Sequence, residues 1–384
     1  MKNTNSNPNA FQYKRQGKDT ENIEVKQEGI LLNPQFEDLN KPETLINHVQ
    51  EFKEQTAKKK ESIGLFKVMT ANQWIEQAKT RPIPKMLFGE FWYENELCIL
   101  FADTNLGKTI KAVQIGDSIS TGKHINGFKM EAQKQAVLYF DFELSDKQFE
   151  NRYSINFKQH YSFNDNFIRV EINPEAEIPE NGTFENFLYQ SLEQSIIKTG
   201  AKILIIDNIT YLKNETERAK DALPLMKYLK SLKSKYSLSI LALAHTPKRD
   251  LSKPITRNDL QGSKMLINFV DSCFAIGESH TDKNLRYLKQ IKARNTEIIY
   301  DTENVATCQI QKPFNFLEFE FLRLGTEREH LKQLSDNDRE TRISEALKLK
   351  KQGISNVEIA NQFNVSEGAV RKWIKKYSDN EQLK

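Results

Sequence analysis

Cysteine is scarce. Cys98, Cys273 and Cys308 are the only three, no two of them stand at metal-ligand spacing, and an odd count leaves one thiol over in any pairing scheme. Cys98 and Cys273 sit inside apolar runs, so buried, reduced thiols in a cytoplasmic protein are expected. Long apolar runs are missing too. None approaches the roughly 18–20 residues that span a bilayer, and the N-terminus lacks the apolar stretch of a secretory signal. No membrane association is expected. Nor does one sign of charge dominate: 56 Lys and Arg against 52 Asp and Glu leave a formal +4, too mild to imply nucleic acid by itself. Apolar residues make up only 38% of the chain and the mean hydropathy is -0.65, so part of the chain lies outside any core. Residues 1–62 are that part. There Asn, Lys, Gln and Glu interrupt every apolar period, and a mostly disordered segment with one short helix near Pro42–Lys53 is expected.

From Leu97 onward the chain alternates short apolar runs with amphipathic stretches, the pattern of a mostly parallel sheet with crossover helices. Leu97–Ala102, Ala136–Phe142, Lys202–Asp207 and Leu238–His245 read as strands, with helices at Gly107–Ser120, Asp146–Phe157, Phe184–Lys198 and Arg218–Tyr236. The run KILIID has no polar alternation and so predicts a strand buried on both faces. Ser272–Ile276, Arg286–Ile291, Val305–Ile310 and Phe314–Phe321 read as further strands, the last ones antiparallel because their connections are short. Thr246–Ser263 reads as a long basic loop without an aromatic residue. Residues 326–340 read as a charged linker, and 341–378 as a small helical unit. The expected class is α/β, with a core at 63–325.

Between the first strand and its helix runs Ala102-Asp-Thr-Asn-Leu-Gly-Lys-Thr109. A nucleoside triphosphate needs backbone N–H groups, a helix N-terminus, a flexible cation and a hydroxyl for Mg2+. Asp103, Thr104, Asn105, Leu106, Gly107, Lys108, Thr109 and Ile110 offer that set. Gly107 admits close backbone approach, Lys108 reaches the β and γ oxygens, and Thr109 can ligate Mg2+. The motif GxxxxGK(S/T) is incomplete, since Ala102 stands at its first glycine. Asp207 ends an apolar strand, where P-loop enzymes hold Mg2+; the other reading of that position is a helix N-cap. ATP and Mg2+ are the expected substrate and cofactor.

The blocks VLYFDFELSDKQFENR, ILIIDNITYL, ILALAHTP and QIKARN, in that order behind ADTNLGKT, resemble the RecA/DnaB-like P-loop ATPases. Within these they are most similar to RepA-type plasmid helicases and mobile-element ATPases. The resemblance covers roughly Phe66–Leu324 and implies a RecA-like core working as a homo-oligomer, expected to be a hexameric ring. It implies that Glu143 orients the attacking water and that His245 senses the γ-phosphate. It also implies that Lys292 and Arg294 reach a neighbouring subunit's ATP, and that Lys248, Arg249, Lys253 and Arg257 touch single-stranded DNA in a central channel. Each has a plainer reading: a helix-entry carboxylate, a strand-end histidine, two solvated bases and a solvated loop.

In the C-terminal unit, Arg342–Lys351 is amphipathic and Gly353-Ile354-Ser355 turns the chain into Val357–Phe363. A turn at Asn364-Val365 then leads to Ser366, an N-cap for Glu367–Tyr377. The pattern is a helix-turn-helix and resembles those of resolvases and sigma-like regulators. Arg371, Lys372, Lys375 and Lys376 on its last helix are expected to contact duplex DNA; a protein-docking hairpin is the alternative. The function expected is an ATP-dependent, DNA-acting ATPase, a helicase or translocase of a plasmid or other mobile element. An ATP-gated DNA-binding regulator or loader stays open beside it.

Overall fold

The computed structural model describes residues 62–63, 66–179, 183–209, 211, 222–247, 249–260, 263–333, 336–363 and 365–381. The expected disordered segment, apart from Ser62, and the helix near Pro42–Lys53 lie outside them, as do Lys248, Asn364 and the side chain of Lys376. The chain divides into two units at Pro82. In the first, Ser62–Ile63 pairs antiparallel with Phe66–Lys67, and a helix spans Ala71–Lys79 behind a Thr70/Gln73 capping box.

The second unit is built on a nine-stranded sheet. Its strands are β1 Leu97–Ala102, β2 Val137–Asp141, β3 Phe167–Val170, β4 Ile203–Asp207, β5 Ser239–His245, β6 Ser272–Glu278, β7 Leu285–Lys292, β8 Val305–Gln311 and β9 Glu318–Gly325. Their spatial order is β9-β8-β7-β6-β1-β5-β4-β2-β3. From β6 to β3 every neighbouring pair is parallel, while β6 to β9 form an antiparallel wing. The expected α/β core with a mostly parallel sheet is the fold adopted. Helices α1 Lys108–Thr121, α2 Asp146–Arg152, α3 Phe184–Thr199, α4 Ala222–Tyr236 and α5 Ser263–Phe269 accompany it.

Strand alternation divides the core in two. Leu97, Ile99, Phe101, Leu204 and Ile206 share one face with Leu192 of α3 and Leu229 of α4. Cys98, Leu100, Ile203 and Ile205 share the other with Val113 and Ile115 of α1. Period-two side chains on a strand covered on both faces produce this division and remove the polar alternation from KILIID. All three cysteines are free and buried.

Four features depart from the sequence reading. The helix expected over Asp146–Phe157 ends at Arg152, and Ser154–Ile155 is a short strand. The edge strand β3 (FIRV) is not among the expected strands. The last strand is shifted from Phe314–Phe321 to β9, because Lys312–Leu317 forms the turn, with Phe314 at φ 58. Residues 326–333 are folded structure, not linker: Glu327 is fully buried and His330 nearly so. Glu327 accepts from Ile255 N (2.6 Å) and the Tyr287 hydroxyl (3.0 Å), and Lys289 Nζ lies against its other oxygen (2.5 Å). A charged sequence reads as solvated unless its partners are known, and here they come from two other segments, the loop after β5 and β7.

At the C-terminus, α6 Asp336–Lys351, α7 Asn356–Phe363 and α8 Glu367–Glu381 enclose a small core of Ala346, Ile359, Ala360 and Val370. Ser355 and Glu358 form a capping box on α7, and Ser366 Oγ accepts from Ala369 N at the head of α8 (3.2 Å). The unit begins at Asp336, five residues before the expected start.

Candidate active site

Parallel register brings the functional strand ends to one edge. His245 pairs with Ala102, and Asp207 pairs with Asp141. The loop after β1, the turn after β2 and the ends of β4 and β5 therefore open into one crevice, where open α/β sheets bind ligands. Gly107 sits there at φ 93, and a Cβ built on it would lie 2.9 Å from the Phe319 ring. Both the left-handed backbone and the close approach require glycine.

Lys108 is 6% exposed. Its Nζ donates to the carbonyls of Ala102 and Asp103 (both 3.0 Å) and lies 3.2 Å from His245 Nδ1. Burial lowers its pKa, opposed by Glu143, Asp207 and Asp103. The opposite nitrogen, His245 Nε2, lies 3.5 Å from Glu143 Oε1 and 3.1 Å from Asn208 Nδ2. A neutral imidazole has one acceptor nitrogen. With an ammonium at Nδ1, the ring proton belongs on Nε2, facing Glu143, and the Asn208 amide donates to Glu143 instead. The hydrogen bond from His245 is the largest influence holding the Glu143 carboxyl below its usual pKa, which favours its anionic form. One chain of contacts thus joins the phosphate-side cation, the sensor-position histidine and the carboxylate.

Asp207 is 1% exposed, and burial pushes its carboxyl up to about 6, against opposing hydrogen bonds from Tyr139 and Thr109. Tyr139 Oη donates to Oδ2 at 2.6 Å, while Oδ1 is enclosed without a hydrogen-bond partner. A buried oxygen left in that state is costly, and a cation in the crevice would satisfy it. Thr109 and Asp207 fit Mg2+ on this ground and would hold it; when bound, the ion neutralises charge on the β and γ phosphates.

Three groups that the sequence reading missed hold this edge in place. Asp141 Oδ1 accepts from the backbone N–H groups of Glu143 (3.2 Å) and Leu144 (3.0 Å). Arg169 of β3 donates from Nε to Asp141 Oδ2 (2.9 Å), from one terminal nitrogen to the Leu144 carbonyl (2.8 Å) and from the other to Asp146 Oδ1 (2.9 Å). Asn208 follows Asp207 and touches Glu143 and His245. Asp141 and Asn208 carried a faint signal as polar residues at strand ends. Arg169 carried none, because its meaning rests on the pairing of β2 with β3.

Other expected residues lie elsewhere. Lys292 pairs with Cys273 in the β6–β7 ladder, beside Ile99, toward the edge away from Gly107. Lys292 Nζ donates to the Ile267 carbonyl (2.6 Å), and Arg294 to Asp271 Oδ1 (3.0 Å). Neither joins the crevice. In the loop after β5, Arg249 and Lys253 are half-buried and Arg257 is exposed. Arg249 donates to the Lys253 carbonyl (3.0 Å), and Ile255 and Leu260 are buried. The loop is thereby tied to the wing and is not an open arm. On α8, Arg371, Lys372 and Lys375 are exposed, and Arg371 pairs with Glu367 (2.7 Å). An exposed pair of this spacing is worth only about 0.3–0.5 kcal/mol, too little to keep Arg371 from another anion.

Among the described residues no helix is long and apolar enough to cross a membrane. No curated protein matches the sequence. Residues 66–250, slightly under half of the chain, match the family model described as an AAA domain. That segment contains Gly107, Lys108, Thr109, Glu143, Asp207 and His245, and the match together with the RecA-like sheet supports an ATPase of the P-loop type.

Proposed function

We propose that this protein is an oligomeric, ATP-hydrolysing enzyme that acts on DNA as a helicase or translocase of a plasmid or other mobile element. The observation that carries the reading is the contact chain Lys108–His245–Glu143 at the strand-end crevice, with Asp207 Oδ1 left for a cation beside it. In this reading Lys108 leaves its two carbonyls for the β and γ oxygens, and Glu143 orients the attacking water. His245 touches both, so loss of the γ-phosphate is felt at the start of the loop after β5. The basic face of α8 supplies duplex contacts.

A second reading is favoured by a specific observation. Because Arg249 and Lys253 are turned inward, Arg257 is the one fully exposed base described in that loop. A loop so tied suits an ATP-gated DNA-binding regulator or loader better than a processive motor. The discriminating experiment is ATP-driven strand displacement, run beside ATP turnover with and without single-stranded DNA. Displacement that Lys108→Ala abolishes supports the motor. DNA-stimulated turnover without displacement supports the loader. Turnover unchanged by Lys108→Ala or Asp207→Ala would refute the ATPase assignment.

A further inference from the structure

A cavity of about 400 Å3 lies between the loop after β5 and the C-terminal helices. Arg249 and Asp250 line it from the loop, Lys332 from the segment before α6, Arg342 from α6 and Gln362 from α7. Asp250 is the one carboxylate lining it among the described residues, and it is heavily shared. Arg342 lies 3.4 Å from it and Lys253 4.0 Å, while Lys253 Nζ is enclosed without a hydrogen-bond partner. Arg249 and Lys332 have no ion pair among the described residues, and the nearby Glu327 is taken by Lys289. Three cations, Arg249, Lys332 and Arg342, therefore line the cavity against one anion, a local excess of +2 by that count. The opening is concave, and its low-dielectric walls concentrate the field.

We infer that this cavity is a phosphate-binding pocket, closed jointly by the ATPase core and the C-terminal unit and separate from the ATP crevice. An arginine-rich concavity matches the geometry and charge of a phosphate group, and the volume admits one of nucleotide size. A phosphate there relieves repulsion among the three lining cations and competes with Asp250 for Arg342. Arg249 follows His245 by four residues, so the pocket's wall is continuous with the strand end that touches Lys108. The phosphate comes either from a nucleic-acid backbone or from a small free phosphate compound. The pocket does not depend on the DNA-acting reading, and the test separates the two.

The full chain and the double variant Lys332→Gln/Arg342→Gln are compared with the P-loop filled by a non-hydrolysable ATP analogue and Mg2+. Equal binding of a fluorescent ATP analogue by both confirms that the variant is folded. Two probes are then used, a fluorescent single-stranded 20-mer across a salt series and pyrophosphate followed by thermal stabilisation. If the pocket holds backbone phosphate, the variant's slope of log affinity against log salt flattens by roughly 1.4, about 0.7 for each of two lost contacts. If it holds a small phosphate, the 20-mer curves coincide and stabilisation by pyrophosphate is lost in the variant. The proposal is overturned if neither probe distinguishes the two proteins. If the wild type binds no oligonucleotide at all, the DNA-acting reading fails and the pyrophosphate arm still decides the pocket.

Discussion

Glu143 is held by its backbone as much as by its side chain. The N–H groups of Glu143 and Leu144 both donate to Asp141, and Arg169 fastens Asp141 to the Leu144 carbonyl. Loss of the guanidinium leaves the buried Asp141 without its cation and lets the turn shift, and a displacement of about 1 Å at a reacting group costs on the order of 10²-fold in rate. Arg169→Ala is therefore expected to lower kcat by about that factor with the KM for ATP little changed, since the phosphate-side groups are untouched. Glu143→Gln is expected to bind ATP and not hydrolyse it. Steady-state kinetics with a parallel binding assay reads both. A fall of ATP affinity in step with kcat for Arg169→Ala would mean that the arginine supports the whole domain instead. Asp207 stood out in the sequence because it ends an apolar run, and Glu143 only through the resemblance of its block to the ATPase family. Arg169 and the inward turn of Arg249 and Lys253 did not, because each depends on a partner from a distant segment.

At the level of elements, the parallel block could be read almost strand by strand, since burial on both faces writes itself as continuous apolar sequence. The wing's strands were legible too, apart from the shifted last one; the segment after β9 was not, and the reason lies in its polar interior. Glu327 and His330, on one short 3-10 turn, replace apolar packing with hydrogen bonds to Ile255, Tyr287, Ser279 and Thr307. Such residues look like linker until the neighbours are known. His330 also makes the wing sensitive to acid. Burial is the first cause that lowers its pKa below the ordinary 6.5. In the window between the folded-state pKa and about 6.5 the unfolded chain binds a proton that the native state does not. Stability from this group is thus present at neutral pH and lost as pH falls below about 6.5. Denaturation midpoints at pH 7.5 and 5.5 should drop further on acidification for the wild type than for His330→Gln. Equal drops would show that His330 is not the acid-sensitive group.

For the whole molecule, the consequential geometry is the separation of the two sheet edges. β1 runs from Leu97 to Ala102, and at about 3.3 Å per residue its ends are roughly 16 Å apart. Lys292 lies level with Ile99, with Cys273 of β6 between them, and Arg294 lies beyond it near Asp271, whose other carboxylate oxygen accepts from Leu97 N (3.0 Å). Arg294 cannot meet the ATP held at its own Gly107, so a role in hydrolysis requires a second copy of the chain. Arg294 is about half exposed in its pair with Asp271, a pair worth less than about 1 kcal/mol. Arg294→Ala should therefore fold normally and lose turnover. Mixing it with Glu143→Gln should restore activity, because an interface formed by the intact Glu143 of one copy and the intact Arg294 of the next is whole. With random assembly at a 1:1 ratio, about one interface in four pairs the two intact sides, so roughly a quarter of wild-type turnover is expected. The measurement is ATP hydrolysis across mixing ratios, with co-purification of differently tagged variants confirming mixed assemblies. Co-assembly without any recovery of turnover would place Arg294 outside the reaction and leave it as the partner of Asp271.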